Sequence, residues 1–254
     1  MSIITLLSDL GHRDPYIAQI KTRILTESPD TRVLDLSHDI EKFNLTQAAY
    51  ILGKMYDKFP KGTIHVLCLP PHDLKPNSYI IIRFKGQYFI SADNGFFSLI
   101  TDEAPDMVVK IKDIKKTSFP ALEILIPLAC RLQQGEIIEN LGVPYTDYLE
   151  LKFPKPRIDE NSIIGHVIYI DQYGNLITNI TREEFLKVKQ GRNFQIRFRT
   201  EQVSRISEDY YAEGRGNCVA VFNDSGNLEL AIVEGNAARL LGMRFESQIR
   251  IKFQ

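Results

Sequence analysis

The first seventy residues alternate between strand-like and helix-like segments, and this alternation limits the fold more than any other feature of the chain. Apolar β-type runs predict strands at Ile3 to Leu7, Arg32 to Leu36 and Thr63 to Leu69, and helical spacing predicts helices at Tyr16 to Leu25 and Leu45 to Phe59. A β-α-β-α-β order predicts a mostly parallel sheet with flanking helices. Ligands of such sheets bind beyond the carboxyl ends of the strands, so we expect functional residues there.

The sequence changes character near residue 154. The segment FPKPRIDENS contains two prolines, several charges and few apolar residues, which predicts a linker at residues 154–162 between domains at 1–153 and 163–254. After the linker, short β-type runs such as GHVIYI, NFQIRF, CVAVF and LELAIV alternate with Gly, Asn and Asp turns. This pattern predicts a small β-barrel or sandwich.

The composition indicates a small-molecule ligand. Well-mixed charges, 31 basic against 32 acidic residues, leave no basic face for nucleic acid or anionic lipid. Three distant cysteines predict neither a disulfide framework nor a zinc knuckle and favour a reducing cytoplasm. The chain shows no leader pattern and no apolar run of the roughly 18 residues that a membrane helix needs. We expect no membrane or nucleic-acid partner.

Two local motifs leave both a structural and a functional interpretation open. Asp9, in SDLG at a strand end, can accept two hydrogen bonds from a vicinal diol such as a ribose, or serve as a turn or helix-capping residue. The Ser91–Gly95 segment SADNG is equally a turn or a site. Five scattered histidines give no metal-binding spacing, and the chain lacks a phosphate loop and a serine-hydrolase elbow. We expect no metal.

The stretch IDQYGNLITNI, Ile170 to Ile180, predicts a hairpin with more amide and carboxylate groups than a turn requires. A similar polar excess recurs at Asn223–Leu228 and Glu234–Ala238. Two such patches in one small β domain indicate a single ligand-binding edge.

Five segments together resemble a known family, the S-adenosylmethionine hydroxide adenosyltransferases, which also include fluorinases and chlorinases. These segments are SDLGHRDPY, DLSHDI, ADNGFFS, IDQYGNLITNI and NDSGNLELAIVEGNAARLLG, in this order along nearly the whole chain. The resemblance implies a Rossmann-like α/β domain, a C-terminal β-barrel, a homotrimer, and S-adenosylmethionine as substrate or ligand with no separate cofactor.

The resemblance also implies roles for residues of the N-terminal part. Asp9 matches the carboxylate that holds the ribose 2′ and 3′ hydroxyls, and Asp14 lies beside the methionine end. Phe43 matches an aromatic residue that packs on the sugar. In the C-terminal part, Tyr210 matches a residue that faces the adenine.

The remaining matched positions lie on the polar turns of the C-terminal part. The resemblance implies that Asn175 reads the adenine, that Asp171 lies near the methionine ammonium, and that Asn236 and Ala237 recognise the adenine edge through the backbone. Asp224 and Ser225 match residues near the methionine carboxylate, where Asp224 replaces the commoner serine.

The sequence departs from the family at the positions that activate water in hydrolytic members. Leu69, in CLPPHDL, stands in place of an aspartate, and Pro120, in SFPALEI, in place of a histidine. No arginine lies between Leu69 and Tyr79. His72 and Asp73 are candidates for a replacement acid–base pair, since a carboxylate can tune a histidine.

These matches predict a protein that converts S-adenosylmethionine and water to adenosine and L-methionine by displacement at the ribose 5′ carbon. Two alternatives stay open: a non-catalytic module that binds S-adenosylmethionine or adenosine, and a halogenase that uses the same pocket.

Overall fold

A computed structural model describes residues 3–254 of the chain. The chain divides into two compact units, of which the first ends at Phe153 and the second begins at Pro154. Within the described residues, no helix is long and apolar enough to cross a membrane.

The first unit contains seven strands and five α-helices among its described residues. In chain order these are β1 Ile3–Ser8, α1 Tyr16–Glu27, β2 Arg32–Ser37, α2 Leu45–Gly53, β3 Ile64–Cys68, β4 Tyr79–Phe84, β5 Gln87–Ala92, α3 Phe96–Ile100, β6 Met107–Lys110, α4 Ile126–Gln133, α5 Ile138–Leu141 and β7 Val143–Pro144. A 3₁₀ turn occupies Tyr56–Lys58, and a π-helical turn, Ala121–Leu125, leads into α4.

The strands of this unit form one mixed sheet in the order β2-β1-β3-β5-β4-β6-β7. The first four strands of this order pair in parallel, as the β-α-β-α-β pattern predicts, and the remaining pairs are antiparallel. The parallel strands all end at one edge, so the segments after β1, β2, β3 and β5 lie along that edge.

Helices cover both faces of the sheet. Strand β1 directs Ile4 and Leu6 into a core with the buried side of α1, and directs Leu7 into a second core with α2 and α3. This alternation follows from the two-residue period of a strand. The sheet is therefore buried on both sides, which explains why its central strands are almost wholly apolar.

Helix α2 is shorter than the sequence pattern predicts. The side chain of Asn44 caps its first turn by accepting a hydrogen bond from the backbone N–H of Gln47. The helix ends at Gly53 rather than near Phe59, and the chain continues through the 3₁₀ turn at Tyr56. The apolar spacing persists because that turn still packs Tyr56 against Phe84 and Phe89.

His65 is a fully buried histidine in β3 whose hydrogen bonds define its protonation. Gln87 donates its amide to the carbonyls of Tyr56 and Phe59, so its Oε1 is free to accept from His65 Nε2 at 3.2 Å. His65 Nδ1 then accepts from the Thr5 hydroxyl at 2.7 Å. Burial lowers the pKa of His65 to about 4, although the Gln87 hydrogen bond acts in the opposite direction.

We expect acid to destabilise the protein through His65. In the unfolded chain His65 binds a proton near pH 6.5, but in the folded chain only near pH 4. The contribution of neutral His65 to the free energy of unfolding is therefore complete above pH 6.5 and is lost as the pH falls toward 4. The loss should approach about 3 kcal/mol. Urea titrations at several pH values should show this slope in the wild type and a shallower slope in His65→Gln. Equal slopes in the two proteins would contradict the assignment.

The second unit is an almost all-β structure. Its elements are β8 Arg157–Asp159, β9 Ser162–Ile170, β10 Leu176–Thr181, α6 Arg182–Lys189, β11 Phe194–Phe198, β12 Glu201–Val203, β13 Cys218–Phe222, β14 Asn227–Ile232, α7 Ala237–Leu241 and β15 Gln248–Phe253. The strands follow the order β12-β11-β15-β9-β10-β14-β13, all antiparallel, with β8 paired to β9. Because β12 also contacts β13, the sheet forms a nearly closed barrel around an apolar core.

The predicted linker at residues 154–162 is partly ordered sheet. Strand β8 lies within it and forms a hairpin with β9, in which Asp159 pairs with Ser162. The three residues of β8 are exposed, so their polar composition, which suggested a linker, reflects an edge strand at the surface instead.

Candidate functional site

Asp9 follows β1 at the edge where the parallel strands end. It is half-buried, and its Oδ2 accepts a hydrogen bond from the backbone N–H of Phe43 at 3.2 Å. A carboxylate has further acceptor positions, so Asp9 can still accept hydrogen bonds from a ligand.

Phe43 adopts a left-handed backbone conformation that aromatic residues rarely take, with φ of 67°. Its side chain is 74% exposed, so burial of the ring does not compensate for the strain. Such strain costs about 1–3 kcal/mol and concentrates at functional sites. The hydrogen bond from its N–H to Asp9 helps to hold this exposed aromatic ring beside the carboxylate.

A buried network supports the turn that carries Asp9. Ser8 Oγ lies 2.7 Å from His38 Nδ1, and the backbone N–H of Gly11 donates to the carbonyl of His38 at 2.7 Å. His38 Nε2 lies 3.2 Å from Asp35 Oδ1, outside hydrogen-bond geometry. Burial lowers the pKa of His38 against the opposing influence of Asp35. Ser8 is fully buried, so this serine, histidine and aspartate serve structure and offer no accessible nucleophile.

The other candidates of the first unit are less closely tied to Asp9. Asp14 is exposed just before α1. His72 uses Nδ1 to accept from the backbone N–H of Leu74 at 3.1 Å, and no ion pair joins it to Asp73 within the described part of the chain. Leu69 is buried in the core, and Pro120 precedes the π-helical turn.

Asp93, in the SADNG segment, is a structural anchor in this unit. The carboxylate is fully buried and accepts hydrogen bonds from the Leu149 backbone at 2.8 Å and the Tyr145 hydroxyl at 3.1 Å. Lys75 Nζ lies 3.4 Å from Asp93 and 2.7 Å from the Tyr145 oxygen. Burial acts to lower the pKa of Lys75, but Tyr145, Asp93 and Asp147 together raise it. These contacts occupy the carboxylate and favour the structural interpretation.

The second unit contains a cavity of about 760 Å³, a size typical of small-molecule sites. It lies beside the β9–β10 turn and the end of β14 and is lined by Asp171, Gln172, Tyr173, Asn175, Tyr210, Tyr211, Ala231, Ile232, Val233, Glu234, Gly235 and Asn236. Four of the residues predicted from the sequence therefore meet here: Asp171, Asn175, Tyr210 and Asn236.

The β9–β10 turn is held together by Asp171. Its Oδ1 accepts from the backbone N–H of Asn175 at 2.8 Å, and its Oδ2 accepts from the Asn175 side-chain amide at 3.1 Å. Asp171 thus orients Asn175 in the cavity wall. The oxygen of an amide held in this way is an acceptor of defined direction, which suits recognition of a planar polar ring edge.

Gly174 joins the two polar patches that the sequence suggested. Its backbone, at φ of 85°, packs so closely on Asn236 that an added Cβ would lie 2.2 Å from the Asn236 side chain. Gly174 also accepts a hydrogen bond from the backbone of Ala238 at 2.9 Å. Asn236 in turn caps α7 by accepting from the backbone N–H of Arg239. The two turns are therefore one unit of structure.

We expect Gly174→Ala to reshape the cavity. The new methyl group must displace the Asn236 side chain and break its cap, which together with the backbone strain should cost about 2 kcal/mol of stability. Thermal unfolding checks this. Gly191→Ala is the matched control, since Gly191 has a φ of 80° but nothing within 4 Å of an added Cβ. Equal losses in both variants would mean that backbone strain alone is responsible.

The sequence prediction missed part of the cavity wall. Tyr173 and Tyr211 are 79% and 77% exposed and present aromatic faces, and Gln172 and Glu234 add polar groups. An exposed aromatic residue inside a polar turn, such as Tyr173, was the available signal. Of the residues predicted in the second unit, Asp224, Ser225 and Ala237 lie outside the lining, and Ala237 packs into the barrel core.

The cavity wall is acidic and aromatic. Asp171 and Glu234 are its ionisable carboxylates, and none of its lining residues is lysine, arginine or histidine. Glu234 forms an ion pair with Arg215, which is not a lining residue, at 3.1 Å. Burial first, and then the hydrogen bond to Glu229, raise the pKa of Tyr210, so its hydroxyl stays protonated. This surface suits a flat apolar ring and a positive charge.

Residues 3–254 contain no group of three or more histidine, cysteine, aspartate or glutamate side chains that could hold a metal ion.

Known proteins resemble this chain over nearly its whole length. The chain is 28% identical over 99% of its length, and 96% of the relative, to a protein of Methanocaldococcus jannaschii named (R)-S-adenosyl-L-methionine hydrolase. It is 23% identical to a fluorinase of Nocardia brasiliensis, over 94% of this chain and 91% of that one. An uncharacterised conserved protein of Thermotoga maritima has the same fold, with a TM-score of 0.87, 24% identity and coverage of 98% of this chain and 99% of that one.

Two family models match the chain and together span most of it. The N-terminal domain of the SAM hydroxide adenosyltransferases matches residues 4–142, and the C-terminal domain of the same family matches residues 165–250. The chain belongs to the SAM hydroxide adenosyltransferase family.

Proposed function

We propose that this protein binds S-adenosylmethionine and converts it, with water or hydroxide, to adenosine and L-methionine. The observation that carries the proposal is the cavity of the second unit, which combines tyrosine rings with carboxylates and has no basic residue in its lining. Such a wall attracts a cationic nucleoside and repels an anionic one such as a nucleotide phosphate. The names of the hydrolase relatives support the same substrate.

The reaction is an in-line displacement at the ribose 5′ carbon. The oxygen of water forms a bond to C5′ as the bond from C5′ to sulfur breaks, and the bonding pair leaves with sulfur, giving neutral methionine thioether. The water proton passes to solvent. Because a sulfonium is already a good leaving group, the protein must chiefly align the reactants and exclude other water.

We assign the binding roles as follows. Asp9 accepts hydrogen bonds from the ribose 2′ and 3′ hydroxyls, and Phe43 covers the sugar. Asn175 and Asn236, held by Asp171 and by α7, read the adenine. The family resemblance places Asp14, Asp224 and Ser225 near the methionine end and Ala237 at the adenine edge, and the last three of these lie outside the cavity lining.

A non-catalytic S-adenosylmethionine or adenosine sensor is the second candidate. Leu69 is buried in the core, Pro120 begins a helical turn, and His72 is engaged by a backbone N–H. None of these positions supplies an oriented base for water. We propose that hydrolysis is slow, because the protein aligns the reactants but supplies no oriented base to activate water.

The test is to incubate the purified protein with S-adenosylmethionine, with and without fluoride or chloride, and to identify products by chromatography and mass spectrometry. We expect adenosine above the spontaneous background, and loss of that excess in Asp9→Ala. A 5′-halogenated adenosine would instead mean halogenation. Binding without turnover would mean the sensor, and neither binding nor turnover would overturn the proposal.

We also propose that the first unit is Rossmann-like, and that the protein is a homotrimer of the cytoplasm. The parallel order β2-β1-β3 supports the first statement. Light scattering on the purified protein tests the second: a mass of three chains supports it, and a monomer contradicts it.

A further inference from the structure

Glu229 is a buried carboxylate behind the cavity that no assigned role explains. It lies in β14, is 3% exposed, and has two polar neighbours. Its Oε1 accepts from the Tyr210 hydroxyl at 2.8 Å, and its Oε2 accepts from the Asn223 side-chain amide at 3.0 Å. Burying such a group is costly unless its charge is used or compensated.

Two side chains donate hydrogen bonds to Glu229, one to each carboxyl oxygen. Asn223 Oδ1 already accepts from the backbone N–H groups of Ser225 and Asn227, so its amide nitrogen must face Glu229 as a donor. Tyr210 remains protonated and donates as well, since burial and the nearby carboxylates raise its pKa. Both oxygens of Glu229 therefore accept, which is the arrangement of a carboxylate rather than of a carboxylic acid.

The strand register places this carboxylate close to the cavity wall. Glu229 and Ala231 are two residues apart in β14 and so share a face, and Ala231 lines the cavity. Their Cα atoms are about 7 Å apart at the rise of a strand. Glu229 also pairs across to Ile177 of β10, the strand that the lining residue Asn175 directly precedes. Tyr210 connects the carboxylate to the cavity directly.

We propose that Glu229 is a specificity-determining residue, a fixed negative charge behind the cavity wall that favours the sulfonium substrate over neutral nucleosides. The inference rests on the proposed function. A unit charge roughly 10 Å from a cation, in the effective dielectric of a protein, changes the affinity for that cation by about tenfold and leaves the affinity for a neutral ligand nearly unchanged. The same preference would help release of neutral adenosine after turnover.

The test compares two ligands that differ by one methyl group and one charge. S-adenosylmethionine carries the sulfonium, and S-adenosylhomocysteine is the corresponding neutral thioether. Calorimetry gives both dissociation constants for the wild type and for Glu229→Gln. We expect the variant to lose about tenfold in affinity for the sulfonium and less than about twofold for the thioether.

Three further variants separate charge from structure. Asn223→Asp/Glu229→Gln exchanges the donor and acceptor and keeps one negative charge in the same pair, so it should recover most of the preference. Tyr210→Phe removes the hydroxyl but keeps the charge, so the ratio of the two constants should persist. Glu229→Met is a second variant without the charge. Thermal melting curves of Glu229→Gln and Glu229→Met show which of them is folded, and the binding comparison uses the folded one.

The outcomes are distinct for the two proposals. An unchanged ratio in a folded uncharged variant overturns the role of Glu229 and leaves the proposed function intact. A wild-type protein that binds neither ligand overturns the proposed function itself.

Discussion

Asp9→Ala should weaken binding of adenosine and S-adenosylmethionine by about a hundredfold or more, since two charge-assisted hydrogen bonds to the ribose are worth about 3 kcal/mol. The structure adds a second reason. The variant also removes the partner of the Phe43 backbone N–H, which helps to hold the exposed Phe43 ring in its strained conformation. Calorimetric titration with adenosine measures the loss.

Asp30→Ala is the control for this variant. Asp30 is an exposed aspartate in a turn of the same unit, and its removal changes the net charge by the same amount. It should leave the affinity unchanged within twofold. If Asp9→Ala bound adenosine as tightly as Asp30→Ala, both the hydrolase and the sensor would be ruled out, because each depends on the ribose contact.

Asp93→Ala should destabilise the first unit by about 3 kcal/mol or more. The loss strands the partly buried Tyr145 hydroxyl and the Leu149 N–H, which both donate to this carboxylate, and it removes the buried partner of Lys75. Urea unfolding followed by circular dichroism measures the change.

Asp147→Ala is the matched comparison, because Asp147 contacts the same Lys75 but is 93% exposed. Exposed pairs contribute little, so its loss should cost less than about 1 kcal/mol. A small and equal effect in both variants would contradict the anchoring role. A normal stability with lost ligand binding in Asp93→Ala would make Asp93 a binding residue instead.

Agreement between sequence and structure is closest where the signal is local. The alternation of β1, α1 and β2 follows from apolar spacing that neighbouring residues share, and the turn at Asp171–Asn175 follows from its glycine and Asx residues. Helix α2 is shorter than predicted, and part of the predicted linker forms strand β8. In α2, the same apolar spacing fits a long helix and a shorter helix followed by a 3₁₀ turn. In residues 157–159, the same polar composition fits a linker and an exposed edge strand.

The residues predicted for the candidate site also agree only in part with the structure. Asp171, Asn175 and Asn236, from the two polar patches, line one cavity together with Tyr210, which the family resemblance suggested. Asp224 and Ser225 lie in the β13–β14 turn, which contributes no residue to the lining, and Ala237 packs into the barrel core. Tyr211 was not anticipated, since it lies in a segment without periodicity.

What the sequence by itself determined was the kind of protein: an α/β unit, a β unit after residue 153, and a family with a nucleoside ligand. These conclusions follow from local periodicity, turn-forming residues and short motifs, because each of these signals is contained in neighbouring residues of the chain. Only the tertiary structure decided that Asp93 is an anchor, that Gly174 packs on Asn236, and that Glu229 lies behind the cavity. Such contacts join residues distant in the chain, and they depend on sheet register and packing that no single segment contains.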